Sequence, residues 1–450
     1  MAESMKIRGR GRLERGSRGG RRRSRSAALP LLAAALLCAG LAGAAPVLSL
    51  PEENVQTQGA GAQAVAAGLR ALQDRAWETA QASFEEALRL EPRSWAATLG
   101  MAELAAQRGE PVAAVERWLD KARSLQPQHP VVLRAIASWD LRQGRLPAAI
   151  EALRKAAAAA PSDLQIKLEL GEALLAQRDG VAAEAAFRSV LAAEATQAGA
   201  LTGLALALVS QGKDSEALQA FEHAARKAPK DPRALLALAR YQASKRRIDD
   251  AIGTLERLSA VVPDAPEAHL DKGDLLVMKN DTAGAVEAYR RASGLGGAAV
   301  SVAEFRLGAL FEAQGRADEA EAAYRRVLQA QPDSYAALNN LAMLLVTRSR
   351  DGRQAIALAR KAVALAPGRP QAHDTLAWAL RADGKADEAL ASVERALAID
   401  PKPATYAYHK GVILAQLGRK AQARASLEAA LKSAPQAAWA AAAKELLARL

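Results

Sequence analysis

The residues best suited to proton transfer or metal ligation are five histidines: His129, His223, His269, His373 and His409. They are scattered, and no two share the short spacing by which a helix or a turn presents a metal-ligand pair. Each reads as a surface or groove residue. Carboxylate pairs such as Glu85-Glu86 and Asp249-Asp250 are adjacent in sequence and belong to the solvated faces of helices. Nothing matches a phosphate-cradling loop ending in GKS or GKT, an HExxH pair, a G-x-S-x-G elbow or an EF-hand loop. The only cysteine is Cys38, so the chain lacks a Cys-based metal site and a disulfide framework. The expectation is a protein with no catalytic residue, no metal and no cofactor, whose chemistry is binding.

The elements that would carry such binding are helices. Half of the 450 residues are apolar but only 4% are aromatic, so the core is built mostly of Ala and Leu. Ala, Leu, Glu, Arg, Lys and Gln favour helix, whereas the β-branched and aromatic residues of strands are sparse. The net charge of +12 suggests nucleic acid until it is located. Residues 1–44 hold ten bases (Lys6 and nine Arg) against Glu3 and Glu14, and the remainder holds 51 bases against 47 acids. The body therefore lacks a large single-sign field that would attract phosphates, and nucleic acid is not expected as a partner.

The basic stretch 6–25 is followed by a run without charge from Arg25 to Glu52, with Ala42-Gly43-Ala44 as small residues at a cleavage site. This reads as an export signal cut after Ala44. The alternative is an uncleaved anchor, in which case residues 27–51 are the only membrane contact. Bases before the apolar run place the rest of the chain across the membrane in both readings. Residues 45–60 read as a linker.

Beyond residue 60 the chain is periodic. Prolines at Pro92, Pro127, Pro161, Pro229, Pro263, Pro332, Pro367, Pro401 and Pro435 recur at steps of 34 or 35 once Ala195 and Gly297 fill the two vacant places. Setting this proline at repeat position 32 puts alanine at position 20 in eleven of eleven units, from Ala80 and Ala114 to Ala423, and Gly or Ala at position 8. Position 24 carries a larger apolar residue in most units, among them Phe84, Trp118, Phe187, Tyr289 and Tyr324. Small residues at 8 and 20 let two antiparallel helices approach closely. The residue at 24 lies one turn on, on the same face as 20. Proline at 32 ends the second helix. Departures are local: Lys272 stands where a leucine is usual, and Arg350-Asp351-Gly352 lengthens one turn.

A 34-residue period with these small, aromatic and proline positions resembles the tetratricopeptide-repeat (TPR) family across residues 61–436. The resemblance implies an all-α, right-handed α-solenoid of eleven helix–turn–helix units. Residues 437–450 read as a capping helix over the last open interface. It also implies that the first helix of each unit lines a concave groove, with repeat positions 2, 5, 9, 12 and 13 facing it. On this chain that face holds Leu270, Phe305, Asn339, Asn340, Met343, Trp378, Arg381 and Tyr408 as the candidate partner-binding residues. Aromatics and Met are scarce here yet gather in units eight to eleven, and they are enriched at interfaces. The Lys and Asn clamp with which some relatives hold a C-terminal carboxylate is missing, because Asn339 is followed at position 9 by Met343.

The expected function is a non-catalytic scaffold on the extracytoplasmic side of the membrane, capturing an apolar or amphipathic peptide in the groove. The segment at Asn339-Asn340-Leu341-Ala342 is similar to TPR segments of bacterial exopolysaccharide and cellulose export proteins, which suggests a secretion, envelope-assembly or export setting. The alternative is a cytosolic adaptor that uses its Arg/Gly-rich arm to associate with nucleic acid.

Overall fold

A computed structural model describes residues 59–348 and 352–450. The leader, the cleavage site after Ala44, the anchor alternative at 27–51, all but the end of the linker, and Arg350 and Asp351 lie outside the described residues.

The described residues form twenty-three α-helices and no strand. The first ten are α1 (Ala60–Gln73), α2 (Trp77–Leu90), α3 (Trp95–Gln107), α4 (Val112–Leu125), α5 (Pro130–Arg142), α6 (Leu146–Ala159), α7 (Leu164–Ala176), α8 (Gly180–Ala193), α9 (Ala198–Ser210) and α10 (Asp214–Lys227). Next come α11 (Pro232–Ser244), α12 (Ile248–Val261), α13 (Pro266–Met278), α14 (Thr282–Gly294), α15 (Ala298–Ala313), α16 (Ala317–Ala330) and α17 (Tyr335–Thr347). The last are α18 (Gly352–Leu365), α19 (Pro370–Ala382), α20 (Ala386–Ile399), α21 (Ala404–Gln416), α22 (Lys420–Ser433) and α23 (Ala440–Arg449). Odd-numbered helices open each repeat and even-numbered ones close it, with α23 standing alone at the end. The helices group into two compact units, one ending at Ala217 and one beginning at Leu218.

The turns follow from the residues that end each helix. Each repeat-closing proline stands just past its helix, as Pro92 does after α2, where its missing N–H is not needed. In the ten repeats whose inner loop is described, the chain reverses from first to second helix through one left-handed residue. Gly315 (φ 71°) does this after α15, and the Arg316 amide then closes back on the Phe311 carbonyl at 2.9 Å. Four of those ten lack the glycine, and there Arg75, Arg178, Arg246 and Asn280 take up the same conformation. A non-glycine side chain is held left-handed there at a cost of about 1–2 kcal/mol.

Two features of the register differ from the sequence expectation. In the second repeat the buried places belong to Val115 and Leu119, both under 4% exposed, while Ala114 and Trp118 are only partly buried. The loop from α3 to α4 has one more residue than that from α1 to α2, and Pro111 caps the later start. That extra residue moves the helix face by one position. The close approach is also arranged differently. Position 8 does not chiefly oppose the alanine at 20; it lies beneath the ring at 24. A Cβ on Gly68 would sit 2.5 Å from the Phe84 ring, and one on Gly308 would sit 2.6 Å from the Tyr324 ring.

The alanines at position 20, apart from Ala114, are fully buried, and so are Phe84, Phe187 and Tyr324. Because each repeat packs only on its neighbours, the core forms several separate clusters and no single centre. Lys272, the departure in the seventh repeat, reaches back to Glu256 of the sixth at 2.7 Å, so the missing leucine is replaced by an ion pair along the surface.

Candidate functional site

All the candidate residues lie in the unit that begins at Leu218. Their side chains come from successive first helices: Leu270 from α13, Phe305 from α15, Asn339, Asn340 and Met343 from α17, Trp378 and Arg381 from α19, and Tyr408 from α21. The helical repeat alone explains this placement, since equivalent positions on neighbouring first helices face the same way.

The structure separates these residues by what covers them. Leu270 is only 9% exposed and belongs to the buried core cluster, which corrects its assignment to the groove. A leucine at position 5 can turn under the next helix as readily as outward, and burial of its apolar surface favours the inward choice. Phe305 and Trp378 are half-buried, each with one side packed against the core. Asn339, Asn340, Met343, Arg381 and Tyr408 are also half-buried.

Around α15 to α17 the site is polar. The Tyr324 hydroxyl donates to Glu312 Oε2 at 2.9 Å and accepts from Asn340 Nδ2 at 3.3 Å. Burial raises the Tyr324 phenol well above its usual pKa, so it stays a neutral donor. Asn340 Oδ1 in turn accepts from Asn339 Nδ2 at 3.4 Å, while Asn339 Oδ1 is buried without a hydrogen-bond partner. The Phe305 ring leans on Tyr324 with centroids 5.8 Å apart.

Around α19 to α21 the site is aromatic. The Trp378 ring stacks on His409 at 4.0 Å, and the Arg381 guanidinium covers Trp378 at 4.0 Å. Burial lowers the Arg381 pKa, with only the nearby Tyr408 opposing it, and Arg381 Nε lacks a hydrogen-bond partner. Tyr408 stacks nearly parallel on Trp439, 4.7 Å away, at the entry to α23. His409 Nδ1 bonds Asp374 Oδ1 at 2.8 Å, and both residues are under 9% exposed. His409 and His269 are thus buried, where the sequence reading had placed all five histidines at the surface or in the groove.

Between the two areas lies a cavity of about 250 Å3, lined by Glu312, Asn339, Asn340, Met343, Gln371, Asp374, Thr375 and Tyr406. Four consecutive first helices contribute to it. Asn339, Asn340 and Met343 are among the candidate binding residues; Gln371, Asp374 and Glu312 stand at repeat positions 2, 5 and 12, which face the groove, and Thr375 and Tyr406 at positions 6 and 3 complete the lining. Burial, and then the charges of Asp374 and Asp400, push the Tyr406 phenol up to about 12. No group of acids, histidines and cysteines suited to a metal ion occurs among the described residues.

A signal for the Asp374–His409 pair is present in the register. Position 6 of one repeat meets position 5, 9 or 24 of the repeat before it. Arg134 with Glu169 (2.6 Å), Arg240 with Asp271 (2.7 Å), Asp274 with Arg306 (3.0 Å) and Asp374 with His409 all join such places. Complementary residues spaced about one repeat apart identify Asp374 and His409 in this way, but not Thr375 or Tyr406.

Comparison with known proteins agrees with this architecture. Family models described as Tetratricopeptide repeat match residues 65–130, 135–198, 236–299 and 305–370 with one model, 174–241 with a second and 376–448 with a third. No curated protein sequence matches the chain. Among solved structures it is similar to the APC/C hetero-tetramer Cut9-Hcn1, with 12% identity and a TM-score of 0.42 over 88% of this chain and 98% of that one. It is similar to yeast Tom70, with 14% identity and a TM-score of 0.36 over 86% of this chain and 95% of that one. It is also similar to YrrB, described as a TPR protein with an unusual peptide-binding site, with 17% identity and a TM-score of 0.35 over 41% of this chain and 94% of that one.

Proposed function

The chain belongs to the tetratricopeptide-repeat family, a family of protein-binding scaffolds, and from that premise we propose that its α15–α21 face captures a peptide segment of a partner on the extracytoplasmic side of the membrane. One observation carries this reading. Half-buried Phe305, Met343, Trp378 and Tyr408 follow one another on successive first helices and flank a cavity with polar walls. A bound segment would cover apolar rings and satisfy polar groups in the same stroke, which suits an apolar or amphipathic peptide. No step of the function requires catalysis.

The extracytoplasmic setting rests on the basic stretch, the uncharged run and the Ala42-Gly43-Ala44 site of the sequence. A partner from a secretion, envelope-assembly or exopolysaccharide-export system fits that setting. N-terminal sequencing of the protein from its native host should give Ala45. A full-length soluble cytosolic product would refute export, and a full-length membrane-bound one would replace cleavage with the anchor.

Capture is tested with Met343→Ala and Trp378→Ala beside the wild type, by quantifying captured envelope proteins with mass spectrometry. Truncating one hot spot costs about 2 kcal/mol, so each variant should hold its partner roughly thirtyfold less tightly. Met343→Ala should do so without a change in melting temperature. Undiminished capture by both variants would leave the strip as packing alone.

A further inference from the structure

The cavity on the α15–α21 face has a chemical bias beyond the apolar strip around it. Its eight lining residues include two carboxylates, Glu312 and Asp374, and no lysine, arginine or histidine. Neither carboxylate is paired with a lysine or arginine among the described residues. Glu312 is held by the Tyr324 hydroxyl and Asp374 by His409 Nδ1, each through one oxygen, so both carboxylates retain acceptor capacity. Asn339 Oδ1 adds a buried acceptor that no protein group satisfies. A buried acceptor of this kind is destabilising unless a donor reaches it. Thr375, Tyr406 and Asp374 are all at most 5% exposed, so the walls are fixed by packing.

The size limits the occupant. At about 250 Å3 the cavity lies at the lower edge of small-ligand pockets. It is the scale of one long side chain. Met343 on the wall offers a soft apolar contact for an aliphatic stem, while the oxygens offer acceptors to its tip. An acidic side chain would meet like charge there, and a purely aliphatic one would leave the acceptors unmet.

We propose that this cavity is a specificity pocket for a single basic side chain, lysine or arginine, of the peptide segment that lies along the α15–α21 face. The proposal rests on the groove reading above and adds to it the identity of one residue in the partner. The bound cation lies between Glu312 and Asp374 and donates to Asn339 Oδ1, while the flanking apolar residues of the segment cover Phe305 on one side and Trp378 and Tyr408 on the other. Partners with a basic residue set among apolar ones are selected over neutral or acidic segments.

The test is selection of random twelve-residue peptides displayed on phage, using the full chain and, in parallel, Glu312→Gln and Met343→Ala proteins. Glutamine keeps an oxygen to accept from the Tyr324 hydroxyl, so Glu312→Gln removes charge with little disturbance, and matching thermal unfolding curves confirm that it folds. The expected result is a consensus with one Lys or Arg at a fixed distance from apolar residues, lost on the Glu312→Gln protein. For a synthetic peptide of that consensus, replacing the lysine with norleucine should weaken binding about tenfold, and the difference should shrink as salt is raised. A consensus without a basic residue that still depends on Met343 would overturn the pocket and leave the groove standing. Enrichment that depends on neither residue would overturn both.

Discussion

Two phenylalanines of the unit ending at Ala217 and two tyrosines of the unit beginning at Leu218 occupy the same repeat position and do different work. Phe84 and Phe187 each lie between two glycines, Gly68 and Gly100 for the first and Gly171 and Gly203 for the second. A Cβ on any of the four would come within 2.7 Å of a ring atom, so these rings are closed off on both sides by backbone. Tyr289 and Tyr324 keep the glycine of their own repeat, Gly273 and Gly308, but the following repeat offers Arg306 and Asn340 in place of glycine. Their hydroxyls reach Asp274 (2.7 Å) and Glu312 (2.9 Å). One oxygen atom, together with a polar residue at position 6, turns a packing ring into an anchor for a polar network.

The largest expected effect breaks the aromatic end of that second unit. Trp378→Ala removes a ring packed on the core, on His409 and under Arg381, and should destabilise by about 3 kcal/mol as well as lose partner capture. Chemical denaturation monitored by circular dichroism measures it. A normal midpoint would show that the ring contributes nothing to the stack.

Overpacking comes next. Gly308→Leu should cost about 1–3 kcal/mol because the Tyr324 ring occupies the space a side chain would need, and Ala320→Leu on the facing helix should cost as much because Ala320 is fully buried. Hydrogen exchange should show the loss in that repeat and its neighbours. Equal loss in every helix would contradict nearest-neighbour packing.

The phenylalanine–tyrosine comparison can be tested directly by exchange. Phe187→Tyr brings a hydroxyl into a place flanked by glycine backbone and should cost about 1–3 kcal/mol if it finds no partner. Tyr324→Phe deletes two hydrogen bonds of an otherwise intact ring and should cost about 1 kcal/mol. Thermal unfolding of both variants ranks them. A smaller penalty for Phe187→Tyr would show that the closed ring has polar surroundings after all.

The smallest effect concerns the turns. Arg246 sits at φ 60° where other repeats have glycine, so Arg246→Gly should stabilise by up to about 1 kcal/mol, relief of strain being partly offset by backbone entropy. A fall in melting temperature would mean that the arginine side chain compensates for its backbone.

The sequence by itself determined the helices and the repeat, because small residues, larger apolar residues and prolines recur in one register that only paired helices satisfy. It also showed which part of the chain gathers Met and aromatics on the first helices. Only the tertiary structure decided that Val115 replaces Ala114, since one added loop residue rotates a helix without disturbing the period. It decided that Leu270 turns inward while Met343 stays half-exposed, which depends on the neighbouring helix and not on the residue type. It alone brought Glu312, Asp374 and Tyr406 to one cavity and His409 onto Asp374. Those residues come from helices more than thirty residues apart, and periodicity fixes which face a side chain shares, whereas the depth of a gap between helices is set by the volumes that pack around it.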